Sequence, residues 1–165
     1  MAKFEISKGF EDFEYALSKL EDKATQNRIA KMAIYDGATP LIQEIRSRIR
    51  EIPTEKFRFL RDGDKMASLS PQEKEQLAEA FRISPIKDWD DSWSIKMGVE
   101  GYNSFKTNKY PNGIPNPLLL ASIEKGSSVR SKHPVVRTTI TARKGEVIAR
   151  MKETAHKEFK NIFTK

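Results

Sequence analysis

The hydrophobic period of this chain changes after Pro85, and that change limits the folds open to it. Before it, apolar residues recur at steps of three and four, the spacing of one α-helical face. In "DDSWSIKMGVEG" they alternate instead. Trp93, Ile95, Met97 and Val99 fall on one side, and Ser94, Lys96, Gly98 and Glu100 on the other. Strict period two reads as a half-buried strand. After Pro134 the helical spacing returns. Helices, then a small antiparallel sheet, then a long C-terminal helix packed on it make an α+β arrangement. The length of 165 residues fits a single domain with its own core. Residues 1–52 supply N-terminal helices, 53–83 a charged linker and short helix, and 84–165 the sheet, a loop and the last helix.

Local signals place the elements. Phe10, Phe13, Leu17 and Leu20 form the stripe of a helix over 8–21. A second helical stretch, about 25–37, has Thr25 as a candidate cap and Ile29, Met32 and Ala33 on one face. "TPLIQEIRSRIREIP" then offers Thr39 as N-cap, Pro40 at N1 and a stripe of Leu41, Ile45, Ile49 and Ile52. Pro40 either separates two helices or kinks one long one; the pattern allows both. Pro53 ends the run, and "RDGD" at 61–64 signals a turn. Ser70, Pro71 and Glu73 make a capping box that predicts a short helix over about 71–82. "YNSFKTNKYPNGIPNP" reads as a long loop. "LLLASIE" (118–124) is too short for its period to separate strand from helix. Val136, Ile140, Val147, Met151, Ala155, Phe159 and Ile162 predict a last helix over about 136–163. Its β-branched start, "VVRTTIT", is also compatible with a strand, and Gly145 weakens the helix by about 1 kcal/mol.

Composition removes several function classes. With no cysteine, disulfides, thiolate catalysis and cysteine-based metal sites are excluded for this chain. The opening residues lack the apolar core of a signal peptide, and no stretch is long and apolar enough to span a membrane. A soluble intracellular product is the expectation. The net charge of +7 is lopsided. Residues 1–83 hold 15 Lys/Arg and 15 Asp/Glu, whereas 84–165 hold 15 against 8, so the whole excess lies in the second half. Such asymmetry suits a polyanion or an acidic protein surface, or is a solvated helix face without a partner.

No set of residues assembles into an active site. His133 and His156 lack metal-ligand spacing. Asp88, Asp90 and Asp91 in "KDWDDSW" resemble a metal-binding carboxylate cluster, but aspartates before a strand are also common turn formers. Ser122, Ser127 and Ser128 have no nucleophile-elbow context, and no phosphate-binding Gly-Lys-Ser/Thr is present. The chain is therefore expected not to be an enzyme and to need no cofactor or metal. Nucleic-acid binding is an alternative. Lysines interleaved with Tyr102, Phe105 and Tyr110 offer phosphate contacts and stacking faces, unless those rings tie the loop to the sheet.

The stretch "IEKGSSVRSKHPVVRTTI" (123–140) is a flexible basic loop between apolar segments. Its end, "KHPVVRTTI" (132–140), together with "ISPIKDWDDSWSIKMGVEGYN" (83–103), "KTNKYPNGIPNPLLLASIEKGSS" (106–128) and "KGEVIARMKETAHKEFKNIF", resembles the head–tail joining proteins of long-tailed phages and prophages, the neck or minor tail-component family. About 80 residues carry the likeness, through a "Gly-x-Pro-Asn" loop, a Glu-x-Gly-Thr-Ser signature and a Pro-Phe-x-Arg lead into the last helix. Residues 1–52 match more loosely. Ser127 stands where threonine is usual, Val135 where phenylalanine is, and Thr138 where proline or alanine is common. The resemblance implies a structural virion protein at the head–tail junction, present in the host cytoplasm during assembly. It implies a ring, a hexamer in the virion, although the free chain can be a monomer. The implied neighbours are connector or head-closure proteins and tail-tube or tail-terminator proteins, with passing contact to DNA and none to membrane. In such a ring Glu124, Gly126, Ser127 and Ser128 would shape the loop. Arg130, Lys132, His133, Pro134 and Arg137 would form its contact surface.

Overall fold

The computed structural model describes residues 2–3, 22–54, 69–89, 92–104, 106, 108–127 and 130–163. The expected helix over 8–21 and the turn at 61–64 lie outside them. Helix α1 (Lys23–Arg50) is continuous, so Pro40 separates nothing. Its cap is Asp22, not Thr25: the Asp22 carboxylate accepts from Ala24 N at 3.0 Å and Thr25 N at 3.1 Å, which places Thr25 inside the first turn. Thr39 does not cap a second helix either. Its hydroxyl donates to the Tyr35 carbonyl at 2.6 Å, a bond made within a helix. An interior proline costs about 3 kcal/mol. The helix carries that cost because Ile29, Ala33 and Ile34 before Pro40 and Leu41, Ile45 and Ile49 after it lie on one buried face.

That face packs against α4 (Val135–Phe163), which runs antiparallel to α1. Three ion pairs keep the two in step: Arg28–Glu158 at 3.1 Å, Asp36–Arg150 at 3.2 Å and Glu44–Arg143 at 2.6 Å. The helices approach closely at Gly37, where an added Cβ would sit 2.5 Å from Met151 Cγ and 3.0 Å from the Val147 carbonyl oxygen. Glycine is used here for close approach. The β-branched start of α4 is helical, and Thr138 and Thr139 turn their hydroxyls back onto carbonyls of the preceding turn.

Helix α2 (Pro71–Ala80) carries the expected capping box, with Glu73 N donating to Ser70 Oγ at 3.2 Å and Ser70 N to Glu73 Oε2 at 2.7 Å. It stops at Ala80 because Phe81–Ile83 enter strand β2, which pairs antiparallel with β5 (Lys96–Val99), Phe81 opposite Val99. Strand β1 (Ala2–Lys3) pairs with the other edge of β5, giving the order β1-β5-β2. The alternation across 93–99 holds, with Met97 and Val99 buried and Lys96 and Glu100 exposed. The run is divided, however. Ser92–Ser94 (β4) pairs with Lys87–Trp89 (β3) in a separate hairpin, which the Trp93 indole ties to α1 by donating to Asn27 Oδ1 at 2.6 Å. The stretch 118–124 is helical, within α3 (Asn116–Lys125). The preceding loop is pinned by Asn103, which is buried and donates through Nδ2 to the Glu73 carbonyl at 3.3 Å.

Two outcomes follow from the α1–α4 seam. Gly37→Val forces its side chain into Met151 and the Val147 carbonyl and lowers stability by about 1–3 kcal/mol, measured by urea unfolding. Asp36 and Glu44 are held below the ordinary carboxylate range, Asp36 chiefly by the Thr154 hydroxyl and then Arg150, Glu44 chiefly by the Arg143 guanidinium. The folded state then binds fewer protons than the unfolded one. Stability is fully present above the ordinary carboxylate values of about 4 and is lost as pH falls through them toward the folded values. Asp36→Asn with Glu44→Gln flattens that acid limb of a melting-temperature profile and leaves its neutral-to-basic shape unchanged.

Candidate docking site

The loop between α3 and α4 is built rather than slack. Helix α3 ends on Gly126, whose φ of 75° and ψ of 171° lie in a region that side-chain-bearing residues avoid. A Cβ there would also press on Lys132, 3.2 Å from its Cβ. Ser127 and Arg130 then bridge to each other, Ser127 N donating to Arg130 O at 2.9 Å and Arg130 N to Ser127 O at 3.3 Å. His133 N returns to the Ile123 carbonyl at 2.8 Å, supplying a donor to the end of α3. Pro134 follows, and α4 opens at Val135. Of the loop residues expected from sequence, Ser128 lies outside the described set.

Glu124 is the part that joins the two helices. Its carboxylate accepts from Val136 N at 2.5 Å and from Arg137 N at 3.4 Å, so a residue near the end of α3 caps the start of α4. A carboxylate at a helix N-terminus meets unpaired N–H groups and the positive end of the helix dipole. Sequence reasoning gives Glu124 a loop-shaping role but misses the mechanism, because the cap reaches across twelve positions of the chain.

The expected basic contacts separate into two kinds. Arg130 is half-buried and donates through Nη1 to Ser122 Oγ at 3.2 Å, while that hydroxyl donates to the Leu119 carbonyl at 2.7 Å. This guanidinium braces the loop on α3. Lys132 and Arg137 are exposed, as is Lys125 at the end of α3. The charge asymmetry also has an internal component. Arg143 and Arg150, both from the basic half, pair with Glu44 and Asp36 of α1.

Beside the loop opens a groove of about 950 Å³, which the sequence reading does not anticipate. Strands β2 and β5 supply Phe81, Met97 and Val99, α3 supplies Leu120, and the first turns of α4 supply Val136 and Ile140. Glu124, Lys125 and Arg137 stand along it, and Tyr102 lies at its edge with 66% of its surface exposed. An apolar trough with charged sides is suited to a side-chain-bearing segment of another protein. The only local hint in the sequence is the pair Val136 and Ile140, one turn apart at the start of a helix.

Other candidates fare differently. Tyr110 packs against the core, with Lys109 Nζ 5.6 Å from its ring centre, so it holds the loop down as much as it offers a stacking face. Phe105, Asp90 and Asp91 lie outside the described residues. Among the described residues no three His, Asp or Glu side chains gather closely enough to hold a metal ion, and no helix is long and apolar enough to cross a membrane. The chain matches no family model, no curated protein and no solved structure.

Two substitutions test this construction. Glu124→Ala removes the cap and costs about 1 kcal/mol in urea unfolding, with Glu124→Asp recovering part of it. At the second position, Gly126→Ala strains the backbone by about 1–3 kcal/mol.

Proposed function

We propose that this chain is a structural protein of phage or prophage virion assembly, acting at the head–tail junction as a subunit of a ring between the portal or connector and the tail. The observation that carries the reading is the α3–α4 connection itself. Its conformation is fixed by Gly126 and by the Glu124 cap, it shows Lys132 and Arg137 to solvent, and it borders an apolar groove. A preformed, charged edge next to an apolar trough is what one subunit needs to receive a neighbour in a closed, heterologous interface. The resemblance of about 80 residues of the second half to neck proteins supports the same role. The partners are then further copies of the chain, head-closure or connector proteins on one side, and tail-tube or tail-terminator proteins on the other. The work is mechanical and needs no catalytic residue or cofactor.

Deleting the gene from its phage or prophage leaves DNA-filled heads and finished tails unjoined, counted by electron microscopy of the lysate. Complementation with Lys132→Glu/Arg137→Glu yields fewer joined particles than wild type, because reversed charges meet the same partner surface. Arg130→Glu also lowers joining, but with a measurable loss of stability, since that side chain braces the loop. Normal virions from the deletion strain contradict the proposal.

A further inference from the structure

We infer that the groove between β5, α3 and α4 receives residues 8–22 of a second copy of this chain. The inference rests on the ring reading above and names the contact that would close the ring. Its first support is complementarity of pattern. The groove floor is apolar, from Phe81, Met97, Leu120, Val136 and Ile140, and the segment "KGFEDFEYALSKLED" has Phe10, Phe13, Leu17 and Leu20 at helical spacing. An amphipathic helix laid into an apolar groove is a common mode of peptide recognition.

The second support is charge. Residues 8–21 hold four acids, Glu11, Asp12, Glu14 and Glu21, against two lysines, while Asp22 is taken up by the α1 cap. The groove is flanked by Lys125 and Arg137, which are exposed and have no ion-pair partner among the described residues. Its one flanking carboxylate on α3, Glu124, is already engaged by Val136 N and Arg137 N. Glu100 also lines the groove, at its β5 end.

The third is where the segment is anchored. Strand β1 runs antiparallel to β5, Ala2 opposite Met97 and Lys3 opposite Lys96, so the chain leaves Lys3 heading toward Ile95 and away from Val99. It is next described at Asp22, at the end of α1 that Asn27 ties to Trp93. Both anchors thus lie toward the β3–β4 hairpin, whereas the groove opens from Met97 toward Tyr102. The described ends that flank the segment therefore sit away from the groove of their own chain.

The test is fluorescence anisotropy with a labelled peptide of residues 8–22, titrated with the full chain. Expected is saturable binding that weakens with salt and falls at least about tenfold for Lys125→Glu/Arg137→Glu. The same peptide carrying Phe13→Asp does not bind. Both altered side chains of the protein variant are exposed, and circular dichroism verifies its fold. Absence of saturation, or equal binding by the variant, overturns the inference. In the full chain, Phe13→Asp/Leu17→Asp reduces the mass seen by light scattering to that of a monomer. Uniform oligomers that persist in this variant overturn the inference and leave the ring reading standing. Groove-dependent peptide binding by a chain that never oligomerises overturns the second-copy assignment and counts against the ring.

Discussion

The close approach of α1 and α4 at Gly37 is the constraint on which the other contacts depend. Without a side chain at that position the helices meet over Met151 and Val147, and the three cross-seam ion pairs fall into register on either side. Exposed pairs of this kind contribute about 0–1 kcal/mol each, so their part is alignment more than stability. The apolar face does the stabilising, and it explains why a proline persists in the interior of α1. With the seam set, the first turns of α4 are carried to the side of the sheet, where Val136 and Ile140 become one wall of the groove.

The Glu124 cap transmits that placement to the loop. It fixes the end of α3 to the start of α4, while His133 N closes the same junction from the other side. Gly126 and the Ser127–Arg130 bridge absorb the change of direction in a few residues. Conformational freedom at the two ends of the loop is thereby reduced, and Lys125, Lys132 and Arg137 are left exposed to solvent.

What was legible in the sequence is what depends on neighbours a few residues away. Ser70, Pro71 and Glu73 specify a helix start among themselves, and the alternation of Met97 and Val99 with Lys96 and Glu100 needs only a strand with one buried face. The α+β class follows from such signals. Features that depend on remote partners were not legible. Thr39 and Pro40 carry the local marks of a helix start, and only the packing of α4 along both halves of α1 overrides them. The run 93–99 is divided because β3 and β2 claim different parts of it. For 118–124, the buried Leu119 and Ile123 decide the element through packing. In the candidate site, loop-shaping roles for Glu124 and Gly126 are an expectation that follows the resemblance. The groove is not foreseen at all, because separate stretches of chain build it.

Whether this fold closes into a ring, as we propose, is read from negative-stain electron microscopy of the purified chain over a range of concentrations and salts. The account predicts particles of one diameter with a central opening, favoured by higher concentration. A population that stays monomeric at every concentration and salt contradicts closure of the ring by this chain on its own.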